Sequence, residues 1–406
     1  MATNTRTTFD AVLKEFYEGT IRDILNSKTF LLNRVKKDSK SWSGRRVVYP
    51  VNTGRNEGIG ARSENETLPT AQLQEYTEVR ITPRYMYGRF EVTGPLMASS
   101  NGNAFAQAVA SEMKGLTRDV KNDINRQLFN DGSGVLAQIN ATQNNTRNIN
   151  VDNPGTRFLK KSMVVDTYDA RTGGTIALDS AVISGINSSV QMQQQTASTV
   201  TDNHFVARED AYGDELMGIM GIVDTGEFVR TFQNVDRNVY LNWRANVLGN
   251  SGNNRTLTLA LMQQAVDAAE IAGSGEVNFV VAHTSVRREY INALTPDVRF
   301  LPMELRGGMK KLTFAGGEQE MPFEFDKHCE LNSVYFLSTE AFTWYVLKDF
   351  HFAQEDGAIL SRLANTDAYQ GWLKFYGNLG CDAPNANSKL ENITATVTEL
   401  GTYELA

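Results

Sequence analysis

Cysteine and histidine are scarce in this chain, and their scarcity excludes several kinds of chemistry. Its 406 residues hold two cysteines, Cys329 and Cys381, and four histidines, His204, His283, His328 and His351. Two thiols outside any C-x-x-C spacing make no disulfide framework for a chain this long, and they are expected to be small buried apolar side chains. None of the histidines lies three or four residues from another ligand type on a helical pattern, so the usual zinc geometry is excluded. Long apolar runs are missing too. No window reaches the roughly 18 apolar residues of a membrane span, and the opening Met-Ala-Thr-Asn-Thr-Arg lacks the basic and apolar regions of a secretory signal, so the expectation is a soluble protein made in the cytosol.

Catalytic signatures are equally thin. Neither a Gly-x-x-x-x-Gly-Lys-Ser/Thr phosphate loop nor a Gly-x-Ser-x-Gly nucleophile elbow occurs. Gly132-Ser-Gly134-Val-Leu-Ala137 has the outline of a dinucleotide loop, but it follows a helical pattern where that motif must follow a strand. His328-Cys329 has no third partner in view, and the acidic group Glu209, Asp210, Asp214 and Glu215 reads as a charged turn before it reads as a cation site. The sequence therefore points to no enzyme, no catalytic residue, no metal ligand and no cofactor. A formal net charge of −7 argues against a dedicated nucleic-acid binder. The charge is uneven, however: Lys28, Arg34, Lys36, Lys37, Lys40, Arg45 and Arg46 fall in one short segment opposed only by Asp38. Such an arm either pairs with acidic protein surface, its own or a neighbour's, or makes sequence-independent contacts with nucleic-acid phosphates, with Lys36, Lys37 and Lys40 as the candidates.

What the chain does have is an outstretched front. Residues 10–32 carry a helical pattern with Thr8 as N-cap. Arg45 to Val51 and Tyr76 to Val92 alternate as strands of a long hairpin, with Pro83 marking an edge or bend. Between them lies a Gly-rich, charged stretch from Asn52 to Pro69 that buries too little apolar surface to hold a shape alone. Then Phe105, Val109, Met113, Leu116, Val120, Ile124 and Leu128 recur at spacings of three and four, predicting one helix from 103 to 131 that spans about 40 Å. Its opposite face carries Glu112, Lys114, Arg118, Asp119, Lys121 and Arg126, and Asp131-Gly132 supplies the stop. An irregular loop is expected over 135–152. Short strands are expected at 163–169, 175–179, 181–186, 198–201 and 204–207. A compact α/β unit follows, with helices at 258–272 and 285–294 and strands at 277–282, 311–314, 321–325, 333–337 and 344–347, the last extending toward Phe352. Residues 368–376 are expected to return the chain to the layer around the long helix.

Short runs punctuate this order: Leu68-Pro69, Gln74-x-Tyr76 and Ile81; Tyr87-Gly88-Arg89-Phe90-x-Val92-Thr93-Gly94; Asp123-x-Asn125-Arg126-Gln127-Leu128 before Asn130-Asp131-Gly132; Asn234-Val-Asp236-Arg237 with Asn242-Trp243. In order and spacing the chain resembles the major capsid proteins of tailed bacteriophages, the Hong Kong 97 type fold. That resemblance implies an α+β chain with an N-terminal arm (1–40), an extended β-hairpin loop (41–87), a peripheral β-rich domain carrying a spine helix (88–217), an α/β axial domain (218–347) and a return to the peripheral domain with a C-terminal segment (348–406). It also implies a subunit that forms pentamers and hexamers, closing into an icosahedral or elongated virion shell around double-stranded DNA, assembled in the host bacterial cytoplasm. A portal, a separate scaffolding protein and a decoration protein are the implied partners, and no membrane is involved. Arg55, Glu57, Arg62, Glu64 and Glu66 of the loop become the candidate inter-subunit ion pairs. No lysine occurs between Ser41 and Met113, so the loop-lysine isopeptide crosslink of some family members is not expected. Two rivals remain at this point: an encapsulin-type nanocompartment shell, and a two-domain α/β enzyme with an interaction arm.

Overall fold

The computed structural model describes residues 30–40, 42, 44–95, 102–152, 154–273, 275–294, 312–316, 319–354 and 360–394, with the side chains of 30, 102–108, 110 and 319 excepted. The predicted helix over 10–32 lies mostly outside the described residues; its last part coincides with a short helix, Phe30–Arg34, that buries Leu31.

The long helix organises one half of the molecule. It runs Gly102–Leu128, 27 residues or about 40 Å at 1.5 Å per residue. Val109, Met113, Val120, Ile124 and Leu128 are buried and Leu116 is half-buried, while the side chain of Phe105 lies outside the described residues. The helix packs on the strand Arg84–Thr93, whose alternation buries Gly88, Phe90 and Val92 and exposes Tyr85, Tyr87, Arg89 and Glu91. Gly88 is there because nothing larger fits: a Cβ would meet Val120 Cγ2 at 3.0 Å and Leu116 Cδ1 at 3.1 Å. Arg84–Thr93 does not pair with the front hairpin. It pairs antiparallel with the long strand Ala368–Cys381, which also pairs with Phe342–Phe352 and Ser361–Arg362. The expected return of 368–376 to the helix layer is this strand. Lys36–Asp38 closes the sheet by pairing parallel with Phe342–Phe352.

The helix stops at Leu128, three residues before the expected end. Gly132 and Gly134 have φ of 79° and 80°, and Asp131 Oδ1 accepts from Ser133 N at 3.0 Å, so this run is a tight exit turn. The chain beyond it corrects an expectation. Residues 135–152 are not an irregular loop; Val135–Gln138 and Gln143–Asn150 are the two edge strands of an antiparallel six-stranded layer. Between these edges the order is Phe205–Arg208, Val164–Tyr168, Ile176–Ser188 and Gln191–Val200. The Asn/Gln/Thr composition misled because one face is solvated: Gln143–Asn150 buries only Ile149.

The remaining unit is a mixed six-stranded sheet ordered Asn246–Leu248, Ser388–Leu390, Val334–Leu337, Phe279–His283, Gln319–Asp326 and Thr313–Gly316. Helix Leu259–Gly273 covers it with Met262, Ala265, Val266 and Ala269, and helix Val286–Leu294 with Val286 and Tyr290. Two expected boundaries need revision. Phe342–Phe352 belongs to the sheet beside the long helix, so an axial unit ending at 347 cuts a strand. Ser388–Leu390 inserts between Asn246–Leu248 and Val334–Leu337, so the stretch 348–406 does not belong wholly to the peripheral side. The alternating pattern gives strand type but not which sheet a strand joins, since that is decided by long-range pairing.

Candidate subunit interface

The front hairpin is anchored at one end and free at the other. Val47–Gly54 pairs antiparallel with Glu75–Ile81, and near the body Val47, Val79 and Ile81 point into the main core. A small hairpin, Thr231–Phe232 with Val235–Asp236, grips this base. Its turn residues Gln233 and Asn234 have φ of 52° and 71°, the left-handed pair a two-residue hairpin needs. Gln233 O accepts from Arg80 N at 2.9 Å, and Asn234 Nδ2 donates to Glu78 O at 3.2 Å. Tyr240 OH donates to Glu75 Oε1 at 3.1 Å, and Asn242 Nδ2 to Thr53 O at 3.4 Å. Tyr49 OH donates to Asp382 Oδ1 at 2.6 Å; burial and that carboxylate push the phenol well above its ordinary range.

The grip is itself built on a buried cation. Arg237 is fully buried and donates to Gly221 O at 2.9 Å, Ile222 O at 2.6 Å, Trp243 O at 3.2 Å and Val229 O at 3.2 Å, with Asp224 Oδ2 at 3.3 Å. Burial lowers its pKa to about 10 against the pull of Asp224, which leaves it charged at neutral pH. Sequence reading singled out the Asn234–Arg237 and Asn242-Trp243 runs but not this work; an arginine amid Val, Phe and Trp was the available signal.

Beyond Gly54 the loop leaves the body. Residues 55–74 form no strand and are largely exposed, and Ile59, Leu68 and Leu73 are 72%, 81% and 90% exposed. Each such side chain, once covered, is worth about 1.5–3 kcal/mol. All five candidate charges are exposed. Arg55 and Glu57 approach to 3.9 Å; Glu66 Oε2 accepts from Ser63 N at 2.9 Å; Arg62 Nε donates to Thr67 O at 3.0 Å. Arg62 meets no carboxylate among the described residues, so its charge stays available.

The basic arm is partly accounted for within the chain. Lys36 and Lys37 sit in the edge strand, exposed, and Lys37 Nζ lies 2.5 Å from Asp349 Oδ2. Lys40 is exposed, its backbone N–H bonded to Asp38 Oδ1 at 2.7 Å. Arg34 lies over the Phe279 ring at 4.6 Å and 4.0 Å from Glu324. The pairing with acidic surface is thus made within the same chain for Lys37 and Arg34.

The long helix corrects one further expectation. Glu112, Lys114, Arg118 and Asp119 are exposed as predicted, but Lys121 and Arg126 are buried. Arg126 Nε donates to Asp123 Oδ1 at 3.0 Å and Nη1 to Glu215 Oε2 at 3.0 Å; although burial opposes its charge, these two carboxylates hold the guanidinium protonated. Glu215, taken as part of an acidic turn, is therefore an interior partner, and Asp214 pairs with Arg84 at 2.8 Å. One residue earlier Asn125 Nδ2 donates to Asp326 Oδ2 at 2.9 Å and lies 2.9 Å from His328 Nδ1, tying the helix to the mixed six-stranded sheet. Burial lifts Asp326, but hydrogen bonds from His328 and Asn125 outweigh it and hold the carboxyl below its usual range. The cysteines are buried, with burial pushing both thiols up, Cys381 to about 12. Among the described residues no cluster of His, Cys, Asp and Glu is arranged to hold a metal ion, and no helix is long and apolar enough to cross a membrane.

No family model and no curated protein sequence matches this chain. Solved structures do. The capsid asymmetric unit of cyanophage A-1(L) is similar over 89% of this chain and 91% of that one, at 13% identity and TM-score 0.55. The capsid of Myoviridae phage XM1 (90% and 92% covered, 9% identity, TM-score 0.47) and the SrpI encapsulin of Synechococcus elongatus (94% and 92%, 11%, 0.43) are more distant. With its long helix against a strand pair, its gripped hairpin and its helix-flanked mixed sheet, the chain has the α+β Hong Kong 97 type capsid fold.

Proposed function

We propose that this protein is the major capsid protein of a tailed bacteriophage, assembling through pentamers and hexamers into a shell that encloses double-stranded DNA. The observation that carries the proposal is the front hairpin: its base is locked to the body, while its far half presents Ile59, Leu68 and Leu73 to solvent with Arg62 meeting no carboxylate among the described residues. A subunit exposing that surface gains by laying it on a neighbour, and the fold shared with the cyanophage capsid structure supports the neighbour being another copy. In this proposal Arg55, Glu57, Arg62, Glu64 and Glu66 set the register of that contact. Exposed ion pairs contribute only about 0–1 kcal/mol each, so covered apolar surface supplies most of the strength. Many copies then add up by multivalency. A scaffolding protein, a portal and a decoration protein belong to the same proposal, as do assembly in the host cytoplasm and a structural role without turnover. The net charge of −7 fits a container that repels packaged DNA rather than gripping it.

Electron microscopy of the purified protein, paired with a nuclease-protection assay, tests this. Closed shells, with DNA inside those recovered from infected cells, are the expected result. Shells holding cargo protein and no DNA would point to a nanocompartment instead. A protein that stays monomeric at high concentration would overturn the reading.

A further inference from the structure

We propose that the cavity where the long helix, the six-stranded layer and the axial sheet meet is a binding site for a small amphiphilic anion, an oxyanion head on an apolar body. The cavity measures about 230 Å³. Three guanidinium groups, those of Arg126, Arg157 and Arg171, contribute to its wall. Two of them are neutralised within the chain. Arg126 has Asp123 and Glu215, and Arg171 Nε donates to Asp131 Oδ2 at 2.6 Å while its guanidinium lies over Phe228 at 4.8 Å. The one wall carboxylate, Glu330, is held by Lys389 Nζ at 2.6 Å and by the Tyr335 hydroxyl at 2.5 Å.

Arg157 is left over. Its Nη1 donates to Cys329 O at 3.1 Å and its guanidinium lies 4.4 Å above the Phe158 ring, but its Nε is buried with no hydrogen-bond partner. Among the described residues no carboxylate forms an ion pair with it. Burial draws its pKa down to about 10 against the weaker pull of Cys329, Glu330 and Asp326, so at neutral pH it is a charged group on the cavity wall that no carboxylate touches among the described residues. Arg157 as a whole is half-buried, and a charge so placed gains by being paired. A planar guanidinium matches phosphate or carboxylate oxygens two at a time.

The rest of the wall defines the body of the ligand. Phe129, Leu136 and Met220 add apolar surface to the wall, with Met220 Sδ 3.9 Å from Arg171 Nη2. The volume is several times the ~30 Å³ share of one water and below the ~300 Å³ at which drug-sized pockets begin, which suits a single ring or short chain. Such a ligand would touch the helix end, the β layer and the loop after Gln319–Asp326 at once.

Titration calorimetry on the intact protein with phenyl phosphate, benzoate and inorganic phosphate tests the site. Phenyl phosphate or benzoate should bind more tightly than inorganic phosphate, and whichever of the two binds better tells phosphate from carboxylate. Arg157→Gln should weaken that binding roughly tenfold or more, the loss expected for a charge-assisted pair. Leu331→Trp, which fills the cavity from a half-buried position and keeps the charge, should do the same, and it decides the matter if Arg157→Gln does not fold. No binding by the unaltered protein up to ~10 mM, or unchanged affinity in a folded variant, overturns the proposal.

Discussion

Arg237→Met isolates the joint on which the hairpin depends. Methionine keeps most of the length and apolar stem of arginine while removing all of its donors. Four main-chain carbonyls, those of Gly221, Ile222, Val229 and Trp243, then lose a partner in a fully buried site, and Asp224 loses its only cation among the described residues. Breaking one side of a buried ion pair costs about 3–5 kcal/mol, and an orphaned buried acceptor about 1–3 kcal/mol. Asp224 Oδ2 keeps the backbone donors of Gly226, Phe228 and Val229 at 3.0, 3.2 and 3.0 Å, which softens its share. An overall loss of at least about 5 kcal/mol is expected, comparable with the whole stability of a marginal domain. Urea unfolding of the isolated chain, followed by tryptophan fluorescence, measures it without any contribution from association. Arg237→Lys, which restores charge but not the fork, should lose less. A loss below ~1 kcal/mol for Arg237→Met would refute the claim that this arginine holds the segment together.

Two more expectations follow from the geometry. Arg62→Glu should leave the circular dichroism and unfolding midpoint unchanged, because Arg62 is exposed and bonds only to its own loop, while sedimentation shows fewer assembled particles; equal damage to folding and assembly would count against an inter-subunit role. His283 should make the subunit acid-sensitive: burial, aided by Arg157, lowers its pKa from 6.5 to about 4 in the folded protein, so the unfolded chain binds the extra proton between those values and stability falls as pH drops through that window, by about 3 kcal/mol in full. His283→Asn should flatten the stability profile from pH 6.5 to 4, and a profile unaltered by the substitution would rule the histidine out as its source.

The elements carried by local patterns were the ones legible in the sequence. Val109, Met113, Val120, Ile124 and Leu128 state the helix in their spacing, and the helix buries them all. Tyr85, Tyr87, Phe90 and Val92 state a strand, and its two faces separate as the alternation requires. Which strand they meet is not stated locally: the partner of Arg84–Thr93 lies nearly 300 residues away in Ala368–Cys381. The polar six-stranded layer was half hidden because Gln143–Asn150 and Gln191–Val200 bury few side chains, so their composition resembles a loop. Buried charges were the least readable. Arg126, Arg237 and Lys389 look like surface residues until the carboxylates and carbonyls that receive them are placed, and most of those come from other elements. Of the candidate interface, the hairpin and its charged tip were legible, whereas the hairpin that grips its base was visible only as a polar run.

A division of labour follows from where the ionic groups sit. Inside the subunit, charges are buried and forked: Arg126 joins the long helix to Glu215, Arg237 holds the carbonyls behind the gripping hairpin, and Lys389 Nζ meets Glu330 and Glu391 at 2.6 and 2.7 Å in the axial sheet. Such pairs add little net stability over apolar replacements, but they tolerate few alternative geometries because every partner must be met. They therefore suit joints whose angles matter. At the tip of the hairpin the opposite holds: charges are exposed, the apolar residues are scattered along an irregular strand of chain, and no contact is deep. A contact made of such parts is weak and adjustable when made once. On the proposed reading it is made in every copy of the subunit, where weakness lets misplaced subunits leave and repetition holds the finished shell.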